Sequence, residues 1–286
     1  MRGLLAFLLT IAVSAGSALA KTPEWDRAHE LYQRTEYSQA LSVLDRIPNK
    51  DVDTLQLIGQ CYFMQGQYKQ AGEAFEKALA LAPRSSELHR LLGNVYGRRA
   101  ETGSVLTAPG NAKKARQYFE QAVELDPYNR EAASNLFEYY LEAPSFLGGG
   151  IEKAQTLAKR IATLDMPAGH HALAQLEGKQ KRYDAAEQQL RSTVALAPRQ
   201  VGPLIDLAKF LSDRGRVKES DEKFEEAAHM APNSPEVMFA RAETYIQQKR
   251  NLADARQLLQ RYLASPLTPD DPPREDARTL LSEAGH

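Results

Sequence analysis

The residues best suited to acid–base chemistry, nucleophilic attack or metal binding are one cysteine and six histidines: Cys61, His29, His89, His170, His171, His229 and His286. The histidines form no H-E-x-x-H pair, and no C-x-x-C motif accompanies them. His170 and His171 are adjacent, so on a helix their side chains face different directions, which disfavours a shared metal ion. The G-x-S-x-G motif and the kinase motifs are also absent from the sequence. The sequence therefore predicts no catalytic, metal-binding or cofactor-binding residues.

A run of three glycines, Gly148-Gly149-Gly150, precedes a helical pattern. Exposed N–H groups at the start of a helix can bind an anion. The run lacks the G-x4-G-K-[ST] arrangement of a phosphate-binding loop and the strand that precedes such a loop. A phosphate site is therefore the less favoured interpretation.

The charged residues are nearly balanced, with 36 Lys plus Arg against 37 Asp plus Glu and a formal net charge of −1. This balance provides no basic field that would attract nucleic acid, so no nucleic-acid partner is expected. The single cysteine, Cys61, cannot form an intramolecular disulfide. We interpret it as a partly buried small residue in preference to a reactive thiol.

One helix-turn-helix pattern returns about seven times along the chain. Its clearest copy is Gly59-x2-Tyr62-x3-Gly66-x-Tyr68-x2-Ala71-x3-Phe75-x2-Ala78-x4-Pro83. The small residue that opens the second helix of each copy recurs as Ala40, Ala71, Ala115, Ala154, Ala186, Ser220 and Ala255. Four positions later stand Leu44, Phe75, Phe119, Ala158, Leu190, Phe224 and Leu259. A supersecondary unit that repeats every ~20 to 50 residues predicts a solenoid.

Each residue type in the pattern has a physical reason. Alanine or glycine is needed where two helices cross closely, and an aromatic residue one turn away fills the gap behind the crossing. The apolar residues fall at helical spacing, and alternating strand patterns are absent. The sequence thus predicts an all-α fold with helix pairs near 24–34/37–47, 52–65/68–81, 86–99/111–125, 129–142/150–164, 168–179/183–196, 200–213/217–230 and 234–248/251–264.

The joint pattern resembles the tetratricopeptide repeat family. The resemblance implies a right-handed superhelix, or α-solenoid, of about seven helix-turn-helix repeats, which binds a protein or peptide partner in its concave groove. The superhelix covers residues 21–265, and its repeats lie near 24–49, 52–84, 86–128, 129–166, 168–198, 200–232 and 234–265. A helix within 271–286 is expected to cover the final repeat, since terminal repeats need an outer lid, and Asp271 is its expected N-cap.

By the same resemblance, certain positions of the first helix in each repeat point into the concave groove. The implied partner groove contains Trp25, Tyr32, Gln60, Phe63, Met64, Arg90, Asn94, Arg98, Asn135, Glu138, His171, Gln175, Lys209, Phe239 and Glu243. This mixture suits an extended peptide or a partner helix better than a compact small molecule. Arg90, Asn94 and Asn135 resemble part of the clamp by which some family members hold a peptide carboxylate. The two basic positions of that clamp are Ala168 and Ala172 here, so the match is partial.

Two turns within repeats are longer than the period allows, at residues 101–110 and 143–150. Equivalent turns of stacked repeats emerge on one edge, so these insertions are expected to lie side by side. Their apolar residues are expected to approach one another as an insertion ridge of Val105, Leu106, Phe146 and Leu147. Insertions on repeat scaffolds often decorate a binding face, but drift at a tolerant surface turn explains them equally well.

The first twenty residues are typical of a secretory signal peptide. Arg2 gives a positive start, the apolar run Gly3 to Val13 is too short to span a membrane, and Ala18-Leu19-Ala20 is a small-x-small cleavage site. We expect cleavage after Ala20, Lys21 as the mature N-terminus, a periplasmic or equivalent exported location, and no stable membrane insertion after cleavage.

The function expected from the sequence is an exported, non-catalytic scaffold or adaptor that holds a protein segment and takes part in assembly of the cell envelope. The alternative is an envelope enzyme or glycan-handling protein with a site under the 101–110 and 143–150 insertions. A third hypothesis is a subunit whose stability depends on a partner.

Overall fold

The computed structural model describes residues 22–285. The predicted signal peptide, residues 1–20, and the predicted mature N-terminus, Lys21, lie outside the described residues. Within 22–285 there are fifteen α-helices and one short 3-10 helix, Ser145–Leu147, and no strand. The α-helices are α1 (Pro23–Gln33), α2 (Tyr37–Leu44), α3 (Val52–Met64), α4 (Tyr68–Leu81), α5 (Ser86–Thr102), α6 (Ala108–Leu125), α7 (Arg130–Glu142), α8 (Ile151–Leu164), α9 (Met166–Lys179), α10 (Tyr183–Leu196), α11 (Gly202–Asp213), α12 (Val217–Met230), α13 (Pro235–Gln247), α14 (Leu252–Ala264) and α15 (Arg274–Glu283). The predicted all-α fold is confirmed.

The first fourteen helices form seven pairs that stack along the chain, and α15 follows them. Within each pair the odd-numbered helix packs on the even-numbered helix that follows it. Odd-numbered helices also contact one another between neighbouring pairs, at α1–α3, α5–α7, α7–α9, α11–α13 and α13–α15. The odd-numbered helices therefore form the inner layer of the solenoid, and the even-numbered helices form the outer layer.

The local sequence fixes where each pair begins and turns. Six inner helices begin at a residue whose side chain accepts a hydrogen bond from the backbone N–H three residues later: Thr22, Asp51, Ser85, Asn129, Asp165 and Ser234. Four pairs turn through one residue with left-handed backbone, Thr35, Gly66, Lys181 or Gly215, and the seventh turns through two, Lys249 and Asn251. The third and fourth pairs carry the insertions at this turn, and the fourth also contains a left-handed residue, Gly148, within its insertion.

Close helix crossings explain the repeated small residues. The seven residues near the start of the outer helices, Ala40, Ala71, Ala115, Ala154, Ala186, Ser220 and Ala255, are all at most 1% exposed. On the inner helices, a Cβ atom added to Gly59 would lie 2.6 Å from Cδ1 of Phe75. One added to Gly93 would overlap the ring of Phe119 in the same way. Each glycine thus lets an aromatic ring from the outer helix pack directly on the inner backbone.

The buried core is divided into five clusters along the chain. From the N-terminus, representative members are Leu44, Leu92, Leu211, Phe224 and Tyr262. The largest cluster extends from Leu55 to Leu176 and includes both repeats that carry insertions. Each cluster is built from helices that are neighbours in sequence, as expected for a solenoid.

The C-terminal helix differs in its start from the sequence prediction. Helix α15 begins at Arg274, and its N-cap residue, Pro273, makes no side-chain capping bond. Asp271 accepts hydrogen bonds from the backbone N and from Oγ1 of Thr268, at 2.8 and 3.0 Å, so it closes the preceding turn. The prediction that Asp271 caps the helix was wrong because this nearer donor pair takes its carboxylate. Ala277 and Ala284 are buried in the last core cluster, so α15 does cover the final repeat.

Candidate functional site

A cavity of about 560 Å³ opens between α5, α6 and α7 on the inner side of the third and fourth repeats. We call it the apolar cavity. Its walls are Phe63, Asn94, Gly97, Arg98, Ala100, Glu101, Ala108, Pro109, Ala112, Ala115, Phe119, Asn135, Glu138, Tyr139, Glu142, Ala143, Pro144 and Leu147. Most of these are apolar, and the polar ones are few and convergent, which is the usual composition of a binding site.

The first insertion builds one wall of this cavity by lengthening two helices. The sequence predicted helices over 86–99 and 111–125, whereas α5 continues to Thr102 and α6 begins at Ala108. The added turns provide Ala100 and Glu101 from α5 and Ala108 and Pro109 from α6. Only residues 103–107 remain as a connection between the helices. The inserted residues therefore extend the helical wall and do not form a long surface loop.

The second insertion closes the cavity with a tightly held turn. Tyr139 donates a hydrogen bond from its hydroxyl to the Leu147 carbonyl at 3.0 Å, and Lys153 Nζ donates to the Gly148 carbonyl at 2.9 Å. The backbone at Gly148 is left-handed, at φ +93°, and a side chain there would clash with Arg116. Because L side chains rarely adopt this backbone conformation, glycine is favoured at this turn.

The three glycine N–H groups of this insertion all have partners inside the protein. Gly148 N donates to the Ser145 carbonyl at 2.8 Å, Gly149 N to Pro144 at 3.2 Å, and Gly150 N to Tyr140 at 2.8 Å. An anion would have to displace these hydrogen bonds. The glycine run is therefore explained by the closure of the turn, and a phosphate site is disfavoured.

The insertion-ridge residues are placed differently from one another. Leu147 lines the apolar cavity, whereas Val105, Leu106 and Phe146 do not and are 88%, 94% and 75% exposed. The expected mutual shelter of these four apolar side chains is not formed. The reason is that the first insertion contributes to the apolar cavity through the added turns of α5 and α6, so the side chains at its loop tip are left exposed.

The polar groups of the apolar cavity include two amides on neighbouring inner helices, Asn94 on α5 and Asn135 on α7. The Asn94 side chain makes no hydrogen bond to another residue of the described chain, and Asn135 Oδ1 accepts only a long one, at 3.5 Å, from Arg90 Nη1. Arg98 pairs with Glu101 at 2.6 Å and donates from Nε to the Tyr68 hydroxyl at 3.2 Å. The amides are therefore open to a ligand, while the charge of the guanidinium is already paired.

The carboxylate-clamp match remains incomplete in three dimensions. Arg90 donates to both carboxylate oxygens of Glu87, at 2.6 and 2.8 Å, and does not line the apolar cavity. Ala168 and Ala172 lie where the clamp would need cations, and Ala172 is 3% exposed. With its arginine neutralised and both further cations absent, this surface offers little attraction to a peptide carboxylate.

Two further cavities continue along the inner layer. The middle cavity, about 370 Å³, is lined by Ser134, Phe137, Glu138, Ile161, Asp165, Pro167, Ala168, His171, Ala172, Gln175, Thr193, Gln200, Gly202, Pro203 and Asp206. The terminal cavity, about 620 Å³, is lined by Ile205, Asp206, Lys209, Glu236, Phe239, Ala240, Glu243, Pro272, Asp276, Thr279 and Leu280. Glu138 lines both the apolar and middle cavities, and Asp206 lines both the middle and terminal cavities. The three cavities therefore follow one another along the inner layer, each sharing one wall residue with the next, and we call them together the trough.

Charged side chains cross the trough between repeats. His171 Nδ1 lies 3.1 Å from Asp206 Oδ2, and this hydrogen bond raises the pKa of His171 above its usual value. Glu138 is reached by solvent, yet neighbouring protein displaces part of its water, so its pKa is raised. The nearby charge of Glu142 raises that pKa further, and His171 opposes the shift.

Ten of the fifteen predicted groove residues line the trough: Phe63, Asn94, Arg98, Asn135, Glu138, His171, Gln175, Lys209, Phe239 and Glu243. Of these, Phe239 is only 8% exposed and also belongs to the last core cluster. The other five predicted residues, Trp25, Tyr32, Gln60, Met64 and Arg90, line none of the three cavities. Tyr32 packs against the first core cluster, and Trp25 stacks on His29 with ring centroids 5.0 Å apart.

Sequence reasoning missed six acidic residues of the trough: Glu101, Glu142, Asp165, Asp206, Glu236 and Asp276. Position in a single repeat does not identify them, because the rotation from one repeat to the next decides which side chain faces the trough. A partial signal was present, since Glu236 and Asp276 lie in the first turns of α13 and α15, where carboxylates are favoured.

Cys61 stands apart from the trough. Cys61 is fully buried, and burial raises the pKa of its thiol to about 12, so it is held as an unreactive thiol. No group of three or more His, Cys, Asp or Glu side chains within residues 22–285 is arranged to hold a metal ion. No helix in the same range is both long and apolar enough to cross a membrane.

Comparison with known proteins identifies the repeated unit. Models of the tetratricopeptide repeat match residues 51–127 and 205–272, which together are just over half of the chain. A tetratricopeptide repeat protein from Parabacteroides merdae is 14% identical with a TM-score of 0.58, over 92% of this chain and 98% of that one. A thermophilic repeat protein of Thermus thermophilus is 21% identical with a TM-score of 0.55, over 66% of this chain and 97% of that one. No curated protein matches the chain.

Proposed function

Because this chain belongs to the tetratricopeptide repeat family, we propose that it is an exported, non-catalytic scaffold that holds an extended segment of a partner protein in its trough. Repeats of this kind stack into extended concave surfaces that bind other proteins. The observation that carries the proposal is the succession of three cavities along the inner layer, with Glu138 and Asp206 as shared wall residues.

The form of the trough supports an extended protein segment as its occupant. Glu138 is the one residue common to the first two cavities, and Asp206 the one common to the last two, so the trough is a series of three spaces, each joined to the next at one residue. An extended chain places a side chain in each space and its thin backbone across each connection. A helix, with a diameter of ~10–12 Å, would need a groove of uniform width.

Export is part of the proposal and rests on the sequence of residues 1–20, which has the composition of a secretory signal peptide. In an exported space the scaffold would serve assembly of the cell envelope. N-terminal sequencing of the protein recovered from the exported fraction tests this, and Lys21 is the expected first residue. Recovery of the chain with Met1 intact would contradict export by cleavage.

The alternative of an enzyme or glycan-handling protein places its site at the same insertions. The described residues that line the apolar cavity include no serine, threonine, cysteine, histidine or lysine, so they offer no serine, threonine or cysteine nucleophile paired with a histidine or lysine base. The remaining chemistry is that of carboxylates, and glycoside hydrolysis uses a pair of them. Of its carboxylates, Glu101 pairs with Arg98, and Glu142 accepts from Lys179 at 2.6 Å. These features support binding in preference to covalent catalysis.

Site-specific photo-cross-linking in the cells that produce the full chain tests the scaffold. A benzophenone amino acid at Asn94 lies in the apolar cavity, and the same group at Glu73, an exposed position on the outer helix α4, is the matched control. We expect a defined protein adduct from position 94 that position 73 does not give. Identical adducts from the two positions, or none from position 94, would refute a partner in the trough.

A further inference from the structure

The trough carries many more acidic than basic side chains. Eight carboxylates line it: Glu101, Glu138, Glu142, Asp165, Asp206, Glu236, Glu243 and Asp276. The lining contains two side chains with a permanent positive charge, Arg98 and Lys209. The whole chain has a formal net charge of only −1, so the acidic residues are concentrated on this surface.

Four of the eight carboxylates are neutralised by protein cations. The pairs are Arg98–Glu101 at 2.6 Å, Lys179–Glu142 at 2.6 Å, Arg130–Asp165 at 2.8 Å and Lys209–Glu243 at 2.7 Å. Among the described residues, no Lys or Arg forms an ion pair with the other four, Glu138, Asp206, Glu236 and Asp276, and Asp206 contacts His171.

The helix dipole accounts for two of these four unpaired carboxylates and not for the other two. Glu236 and Asp276 lie in the first turns of α13 and α15, where the helix dipole favours a carboxylate. Glu138 lies near the end of α7 and Asp206 lies beyond the first turn of α11, so the dipole does not account for them. Glu138 and Asp206 are also the two residues that connect the cavities.

The surroundings of Glu138 and Glu236 would favour an incoming cation. Burial raises the pKa of Glu236, and the charges of Asp206 and Asp271 raise it further, against the opposing effect of Lys209. Glu138 is in the same situation, with Glu142 raising its pKa and His171 lowering it. Partly desolvated carboxylates that repel one another are stabilised when a positive charge is placed between them.

We infer that the occupant of the trough is a basic, extended segment of a partner protein, with an apolar side chain in the apolar cavity and lysine or arginine side chains along the middle and terminal cavities. This inference rests on the proposed function and specifies its partner. The unpaired carboxylates favour a basic segment by charge complementarity. The apolar walls around Phe63, Phe119 and Leu147 favour an apolar side chain in the apolar cavity. The chemistry is the opposite of a clamp for a peptide carboxylate.

Three synthetic peptides of equal length test the inference with the full mature chain. The first intersperses lysine and leucine among serines, the second replaces each lysine by glutamate, and the third replaces each leucine by serine. Fluorescence anisotropy of labelled peptides at low ionic strength measures binding. We expect the lysine–leucine peptide to bind at least ~tenfold more tightly than either of the others, because it alone has both features. Equal binding of the three peptides, or no binding of the first, would overturn the inference.

Two double variants test whether the peptide binds in the trough or is attracted by acidic residues anywhere on the surface. Glu138→Gln with Glu236→Gln removes two carboxylates that accept no hydrogen bond within the described chain, so the fold loses no partner. Glu73→Gln with Glu124→Gln removes two exposed carboxylates from the outer helices α4 and α6. Removing Glu138 and Glu236 would remove two exposed ion pairs with lysines of the peptide, which corresponds to a roughly tenfold loss of affinity. We expect this loss for the trough variant and not for the outer-helix variant. Equal losses in both variants would show non-specific attraction and overturn the inference.

The cross-linking result distinguishes failure of this inference from failure of the proposed scaffold function. An adduct from position 94 together with equal affinity for the acidic and basic peptides would retain the scaffold and reject the basic partner. No adduct from position 94 would reject the scaffold itself.

Discussion

Two glycines on helix α5, four residues apart, allow the helix packing to be tested by the same substitution. A Cβ atom at Gly93 would lie 3.0 Å from Cζ of Phe119 and closer still to Cδ1 and Cε1. A Cβ atom at Gly97 would meet nothing within 4 Å. Replacing either glycine by alanine gains about 0.5–1 kcal/mol from helix propensity. The difference between the two variants therefore isolates the effect of overpacking.

The magnitude depends on how far the Phe119 ring can move. Phe119 is 6% exposed and borders the apolar cavity, so its ring has space on one side. Overpacking costs about 1–3 kcal/mol, and we expect Gly93→Ala near the lower end of that range. After the gain in propensity, its free energy of unfolding should fall by about 0–1 kcal/mol, whereas Gly97→Ala should raise it by about 0.5–1 kcal/mol.

Gly59 extends the comparison to a site without such space. A Cβ atom there would lie 2.6 and 2.8 Å from Cδ1 and Cζ of Phe75, whose side chain is fully buried. Gly59→Ala should therefore cost the most of the three variants, with the net loss about 1–2 kcal/mol.

Urea denaturation followed by circular dichroism at 222 nm measures all three variants of the mature chain, provided that the slope of the free energy against urea is unchanged. The predicted order of stability is Gly97→Ala, then Gly93→Ala, then Gly59→Ala. If Gly93→Ala and Gly59→Ala were as stable as Gly97→Ala, the close approach of aromatic rings to the inner backbone would be refuted.

Four further outcomes are expected. Thr35→Gly should raise the free energy of unfolding by about 1 kcal/mol in urea denaturation, because a β-branched residue at φ 61° is strained; no gain would argue against a left-handed turn there. Cys61, with its thiol pKa raised to about 12, should resist iodoacetamide at pH 8 in the folded protein and react in urea, and rapid labelling without denaturant would contradict its burial. Replacing residues 101–110 by a tight turn should preserve the helical spectrum but abolish cross-linking from the trough, since this change removes a cavity wall; unchanged adducts would place the site elsewhere. Binding of the lysine–leucine peptide should weaken as pH falls through the raised pKa of Glu138, because protonation removes the charge that binds the cation, and Glu138→Gln should reduce this dependence.

The helices were largely predictable because their signals are local. Periodic apolar residues and small residues at crossings placed most helix ends within two residues of those observed, as at α4, predicted at 68–81 and found at Tyr68–Leu81. The clearest difference was at residues 101–110, where the repeat period suggested a long turn. Good helix formers up to Glu101, and Pro109 in the first turn of α6, favour helix instead.

The trough was less predictable because it depends on contacts between repeats. Asn94 and Glu138 lie at positions that the family pattern assigns to the groove, and both line the apolar cavity. Asp206 does not lie at such a position, although Lys209, one turn later on α11, does. The orientation of one repeat relative to the next brings Asp206 into two cavities, and no single repeat encodes that orientation.

The division of the core into five clusters in series has a mechanical consequence. Within residues 22–285, the helices that pack on one another are neighbours or next neighbours along the chain, so each interface between repeats can rotate slightly without opening the others. Small rotations of the same sense add along the solenoid and change its curvature, in the way that a coil spring stretches by the twist of each turn. A segment bound across several repeats would resist all of these rotations at once, so its length, as well as its contacts, would set the stiffness of the loaded protein.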